Sequence, residues 1–238
     1  MFKKLSVMLA SITFSIAPST LFAVEPIIRL SIGEHIAPDV LRSLGTNYYE
    51  LFSRVGRKLE LVPLPTIRSE RIVERDISLD GNFARIPSFG IKHSTLLMVD
   101  EPIAIIEFAA YSSRTDIDAS KLKTLSSSAY IIAYPAGFQV LTKAILNNKN
   151  QEELIETWST LQGLKLAIAK RADIFIASKA NIDHVLVNNP KLKKLLHYIG
   201  SPLNAKFHIF LKRKHEVLSG KLSSELKKMK KEGYNFFY

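Results

Sequence analysis

Residues 64–86, LPTIRSERIVERDISLDGNFARI, change hydrophobic period in mid-course, and this change limits the fold more than any other stretch. Ile67, Ile72 and Val73 fall at helical steps, Ile77 and Leu79 at the two-residue step of a strand, with the switch at about Asp76. Pro65 stands where a strand ends and a helix starts, and Asp80-Gly81-Asn82 reads as a turn that closes the unit. The pattern predicts a strand end, a short helix and a second strand, a βαβ-like unit. Arg68 and Arg85 flank that unit near turns that face one edge. In open α/β sheets ligands bind at such an edge, because loops and helix N-termini converge there. Arg68 falls in the first helical turn, where the macrodipole disfavours a cation. The misfit points to a functional reason, and a solvated surface arginine is the competing explanation for either residue.

Strands and helices alternate along the rest of the chain. Residues 27–32 predict a first strand, and 38–55 a helix with Pro38 in its first turn and Gly56 as its stop. Val40, Leu41, Leu44, Tyr48, Leu51, Phe52 and Val55 recur at three- and four-residue steps, so Tyr48 is read as packing. Strands are expected at 58–62 and 94–99. Residues 103–111, IAIIEFAAY, form one long extended run whose length and isolated Glu107 suggest a strand that leaves one core and enters another. Residues 112–128 are rich in Ser, Thr and Lys and are read as poor in core, at a crossing between lobes. A strand at 130–134 leads into Pro135-Ala136-Gly137-Phe138 and a helix to about Leu146. Such a turn can cradle an anion with backbone N–H groups, or be a plain βα connection. Next come a short strand (153–158), a helix (160–170), a buried strand (172–178) and a helix that Asn188-Asn189-Pro190 ends. Two further strands, 195–199 and 207–211, are expected on either side of Gly200-Ser201-Pro202. A helix over about 214–231 closes the chain, and the aromatic tail Tyr234, Phe236, Phe237, Tyr238 is read as packing on a lobe. The alternation predicts an α/β fold with mostly parallel pairing.

Residues 1–23 are read as a signal peptide: Lys3 and Lys4, an apolar run from Leu5 to Ala17, and a cleavage site after Ala23. The run is too short to span a bilayer, and no later stretch approaches roughly 20 consecutive apolar residues. The expected product is periplasmic or secreted, without a permanent anchor. With 47% hydrophobic residues, the remainder can bury a core as one large domain or two lobes without disulfides. The chain has no cysteine, which excludes thiol catalysis and zinc–thiolate sites. The net charge of +11, lowered by two when Lys3 and Lys4 are removed, suits an acidic ligand, nucleic acid or an anionic membrane. Much of it lies late, at Lys212, Arg213, Lys214, Lys221, Lys227, Lys228, Lys230 and Lys231, and a charge run on a helix is usually a solvated face.

Several stretches then fall in a familiar order. They are the strand–loop–helix opening at 27–55, Pro65-Thr66-Ile67-Arg68, Leu79-Asp80-Gly81 before Arg85, and Glu101-Pro102-Ile103. Tyr130 to Phe138, Lys170-Arg171-Ala172-Asp173 and the closing segments 207–214 and 227–233 complete the series. Together they resemble the extracellular solute-binding proteins of the type II periplasmic binding fold, in the group related to polar amino-acid binders. The resemblance implies a two-lobe α/β clamp of mostly parallel sheets with a two-stranded hinge. Lobe one would be 24–107 plus 205–238, lobe two 108–204, with crossings near 105–112 and 199–205. A ligand would bind between the lobes and close them.

By this resemblance Arg85 matches an arginine that pairs with a ligand carboxylate, for which a guanidinium fork is geometrically suited. Arg68, Asn82 and Glu34 are candidates on the same edge, Gly137 and Phe138 would offer backbone N–H groups from lobe two, and Ser178 stands after the 172–178 strand. The chain departs from the pattern in three places. Lys170 stands where glycine is usual, and Asn82 where relatives often carry glutamate. Ser178-Lys179 stands where amino-acid binders place an acidic residue, so an anionic or neutral ligand fits better than an α-amino acid.

The expected function is capture of a small anionic or carboxylate-bearing solute, for transport or sensing, without catalysis, cofactor or metal. The implied partners are the solute and an inner-membrane ABC permease or a sensor protein; a monomer that binds no nucleic acid is expected. One alternative is an enzyme on the same fold, resembling periplasmic dehydratases, with Glu34, His35 and Glu101 as the available acids and bases. Another is a polyanion-binding module built on the basic C-terminal helix. The six histidines never reach a metal-ligand spacing.

Overall fold

The computed structural model describes residues 26–33, 38–117, 120, 122, 125, 129–144, 146, 147 and 149–236. The signal-peptide expectation for 1–23 lies outside them, as do Phe237 and Tyr238. Strand β1 (Ile27–Gly33) is followed by helix α1 (Pro38–Arg54) and by β2 (Lys58–Leu64), which pairs with β1 in parallel. Helix α1 buries Tyr48, Leu51 and Phe52 and ends where Gly56 takes a φ of +69°. That conformation lets the N–H groups of Gly56 and Arg57 reach the carbonyls of Ser53 and Phe52, both at 2.9 Å. Helix α2 (Thr66–Ile72) then crosses to β3 (Gly81–Arg85), which pairs in parallel with the other side of β1.

After α3 (Phe89–Lys92) and β4 (Leu96–Met98), strand β5 (Ala104–Ser112) carries the chain out of this first lobe. The second lobe contains β6 (Ile132–Pro135), α4 (Gln139–Ala144), β7 (Leu154–Thr157) and α5 (Thr160–Ile168). It continues with β8 (Ile174–Ser178), α6 (Lys179–Asn188) and α7 (Pro190–Lys193). Strand β9 (His197–Lys212) returns through both lobes, and α8 (Glu216–Lys231) packs on the first.

The sheet runs β2-β1-β3-β9-β5-β8-β6-β7, with β4 also pairing β9. The outer pairs of each lobe are parallel, and every pair that involves β5 or β9 is antiparallel. The β5–β9 ladder, from Ala104 opposite Phe207 to Ser112 opposite His197, is the two-stranded link between the lobes. Each lobe has its own core. Leu30, Phe52, Phe83, Leu222, Leu226 and Phe236 are among those buried in the first. Phe108, Leu141, Ile174 and Ile176 on one sheet face, and Leu164, Phe175 and Ile182 on the other, fill the second. Full burial of each such side chain contributes about 1.5–3 kcal/mol, so these clusters dominate over any single polar contact.

Three local expectations are corrected. Asp80-Gly81-Asn82 is not a turn: turns occupy 73–75 and 77–78, and β3 begins at Gly81. A Cβ at Gly81 would lie 1.9 Å from the Phe210 carbonyl oxygen, so glycine is there to let β3 approach β9. Residues 195–199 and 207–211 are not separate strands. β9 runs unbroken through Gly200-Ser201-Pro202, and register shifts against β5 between Phe108 and Tyr111 absorb the irregularity. Nor is 112–128 as poor in core as expected, because Leu122 and Leu125 are buried in the second lobe.

Candidate functional site

A cavity of about 110 Å³ lies between the lobes. The first lobe lines it with Ile32, Thr66 and Arg85, the second with Gly137, Phe138 and Asn181, and the hinge strands with Ile106 and Phe207. The lobes meet closely at Thr66. A Cβ on Gly137, which has a φ of +79°, would stand 3.1 Å from Thr66 Cβ, and one on Gly33 would stand 3.1 Å from Thr66 Oγ1.

Register explains how a buried polar cluster forms behind this surface. Ser31 and Asn82 are cross-strand neighbours of the parallel β1–β3 pair, and Ser69 is the buried residue of α2 above them. Asn82 Nδ2 donates to Ser31 Oγ at 2.5 Å and to Ser69 Oγ at 2.7 Å, and the two hydroxyls lie 2.9 Å apart. Residues 82 and 85 of a regular strand would point to opposite faces. The β3–β9 register shifts between Asn82 and Arg85, which lets both reach one hydroxyl. Arg85 Nη2 donates to Ser69 Oγ at 2.8 Å and to the Thr66 carbonyl at 3.3 Å.

The guanidinium is under-satisfied. Arg85 Nε and Asn82 Oδ1 are shut off from solvent and have no hydrogen-bond partner among the described residues. Burial pushes the Arg85 pKa down to about 10, against the opposing charge of Glu70, so the group is still a cation at neutral pH. Its carbon lies 5.4 Å from the centre of the Phe89 ring. Among the described residues no carboxylate lies within 4 Å of it. Glu70 offsets the desolvation only in part, and an anion in the cavity favours the charged form further.

Of the residues singled out from sequence, Arg85, Gly137, Phe138 and Ser178 line the cavity. Asn82 is fully buried behind it, holding the serine pair. Arg68 is exposed and outside the lining, because α2 turns Ser69 inward and a neighbouring helical position points about 100° away. Glu34 and His35 lie outside the described residues. Glu101 pairs with Lys230 at 2.6 Å and Lys179 with Asp183 at 2.5 Å, and neither lines the cavity. The basic C-terminal helix is partly neutralised: Lys230 pairs with Glu101, Lys228 lies 3.9 Å from both Glu225 and Glu232, and Lys214 just before the helix reaches Asp80 at 2.8 Å. Sequence reasoning passed over Ser69, Thr66, Glu70, Ser88 and Asn181. For Ser69 a signal existed, since it stands three and four residues before Ile72 and Val73, on the apolar stripe of α2.

No family model matches the chain. An uncharacterized protein of Shewanella oneidensis is 26% identical over 192 residues, spanning 78% of this chain and 70% of that protein. Among solved structures, the chain resembles a histidine kinase sensor domain with similarity to periplasmic binding proteins. That likeness has a TM-score of 0.66 and 14% identity and covers 87% of this chain and 91% of the other. An ancestral arginine-binding protein bound to arginine superposes with a TM-score of 0.65 and 13% identity, covering 87% of this chain and 94% of its own. The fold is that of the type II periplasmic binding proteins.

Proposed function

We propose that this protein is a non-catalytic clamp that captures a small anionic, carboxylate-bearing solute between its lobes, outside the cytoplasm, for transport or sensing. The observation that carries the reading is the Arg85 guanidinium, a half-buried cation at the inter-lobe cavity whose Nε has no hydrogen-bond partner and which has no carboxylate within ion-pair distance among the described residues. Residues 24–107 with 205–238 form one lobe in this reading and 108–204 the other, and β5 and β9 flex between them. Arg85 holds the anion from lobe one, while Gly137, Phe138 and Ser178 close on it from lobe two. The protein works as a monomer and presents its closed form to an inner-membrane permease or to a sensor. The likeness to binding proteins and to a sensor domain supports ligand capture and fits either output. Among the described residues no helix is long and apolar enough to cross a membrane.

A solute that binds only the folded, closed protein raises its melting temperature by mass action. Small carboxylates and phosphates are therefore screened against the purified protein by thermal unfolding, and the retained solute is identified by mass spectrometry. An upshift with a small anion, with no product formed on long incubation, is the expected result. Product accumulating beyond one equivalent would replace the clamp with an enzyme.

A further inference from the structure

We infer that the cavity takes a monocarboxylate with a compact apolar body and no ammonium group. The inference rests on the reading of Arg85 as the ligand's counter-ion and adds what surrounds that cation.

The cavity that Arg85 lines is walled largely by hydrocarbon. Ile32, Ala84, Ile106, Phe138, Val140 and Phe207 come together there from both lobes and the hinge. A polar body placed against them would lose its hydration without replacement, whereas an apolar body gains from leaving water. Volume limits the body further. About 110 Å³ is several times the roughly 30 Å³ share of one water and somewhat less than the roughly 150 Å³ cavity that admits benzene. A branched or cyclic group of about four to six non-hydrogen atoms fits that space.

Charge limits the head group. Arg85 is the one cation lining the cavity among the described residues, so one negative charge is matched and a second is not. With its Nη2 held by Ser69 and Thr66 and its Nε shut off from solvent, the guanidinium has room for one carboxylate and not for two. An ammonium would need an anion of its own. Glu70 is the one carboxylate in the lining among the described residues. Its charge already acts on Arg85, and it lies 3.7 Å from His93 Nε2, so it is engaged before any ligand arrives. The lobe-two polar groups, Ser178 and Asn181, are neutral. They suit a ketone or a hydroxyl better than a cation.

Isothermal titration of the full chain against a fixed panel tests this. The panel is 3-methylbutanoate, cyclopentanecarboxylate and benzoate, set against leucine, succinate and inorganic phosphate at one ionic strength. At least one of the first three is expected to bind at least tenfold tighter than each of the last three. Filling the space with Val140→Trp is expected to abolish that binding in a chain whose circular dichroism is unchanged. Arg85→Met, with Arg85→Lys as the charge-preserving control, separates two kinds of failure. If leucine, succinate or phosphate binds as tightly or tighter, and Arg85→Met removes that binding, the clamp stands and the ligand class is overturned. If no panel member produces heat or a thermal shift, or if Arg85→Met leaves binding intact, the reading of Arg85 falls together with the inference.

Discussion

Thr66 of α2 and Gly137 of the β6–α4 turn meet across the cleft so closely that a Cβ on Gly137 would stand 3.1 Å from Thr66 Cβ. The same glycine has a φ of +79°, which costs an L-residue about 1–2 kcal/mol. Gly137→Val therefore strains the turn and wedges the lobes apart. Solute affinity is expected to fall at least tenfold, and small-angle scattering in saturating solute should show a larger radius than the parent. Unchanged affinity would mean that the lobes need not meet here.

Ser69 joins the cavity to the core. Its hydroxyl accepts from Arg85 Nη2 and Asn82 Nδ2 and lies 2.9 Å from Ser31 Oγ. Ser69→Ala leaves donors of both side chains buried without an acceptor, a cost of about 1–3 kcal/mol. Urea unfolding should show that loss, with weaker solute binding because Arg85 is no longer held. A loss under about 0.5 kcal/mol would show that the network contributes little.

Lys170 ends α5 with a φ of 55°. The N–H groups of Lys170 and Arg171 reach the carbonyls of Ala167 and Leu166, the arrangement that Gly56 makes at the end of α1. A lysine holds this left-handed conformation at a cost that glycine avoids. Lys170→Gly is expected to stabilise by about 1 kcal/mol, raising Tm by roughly 2–4 °C. A lower Tm would contradict the strain.

Asp80 ties β1 to the start of α8. Its carboxylate accepts from the Arg29 N–H at 3.0 Å and lies 2.8 Å from Lys214 Nζ and 2.7 Å from His215 Nε2. Burial works against its charge, but the Arg29 N–H, Lys214 and His215 outweigh it and hold the carboxyl below the ordinary aspartate range. Because the folded pKa is depressed, the stabilisation is present above the ordinary value of about 3.9 and is lost as pH falls through the folded value. Asp80→Asn should lower stability near neutral pH and flatten its decline below about pH 4. Urea midpoints taken down that range in both proteins should converge; parallel curves would remove Asp80 from the acid response.

Much of the architecture was legible because burial imposes it on the pattern. The long run at 103–111, apolar except for Glu107, read as a strand that leaves one core and enters another, and β5 does pass from one core into the other. Punctuation misled where tertiary contact overrode local preference. Gly200 and Pro202 read as a break, yet the β5 ladder holds β9 straight through them. Gly81 read as a turn, yet it serves close approach to β9. The site was the least legible part. Arg68 and Arg85 looked equivalent along the chain, and only the rotation of α2 about Ser69 separates a surface arginine from a cavity arginine. The serine–asparagine cluster depends on the β1–β3 register, which no local stretch encodes.

The measurement that tests the central claim most directly is the thermal shift of Arg85→Ala beside that of the parent chain, each with the same small carboxylate. The parent should gain in Tm as the solute is raised, and Arg85→Ala, folded by circular dichroism, should gain nothing over the same range. An equal gain in both would show that the solute is held elsewhere and that the cavity guanidinium is not its partner.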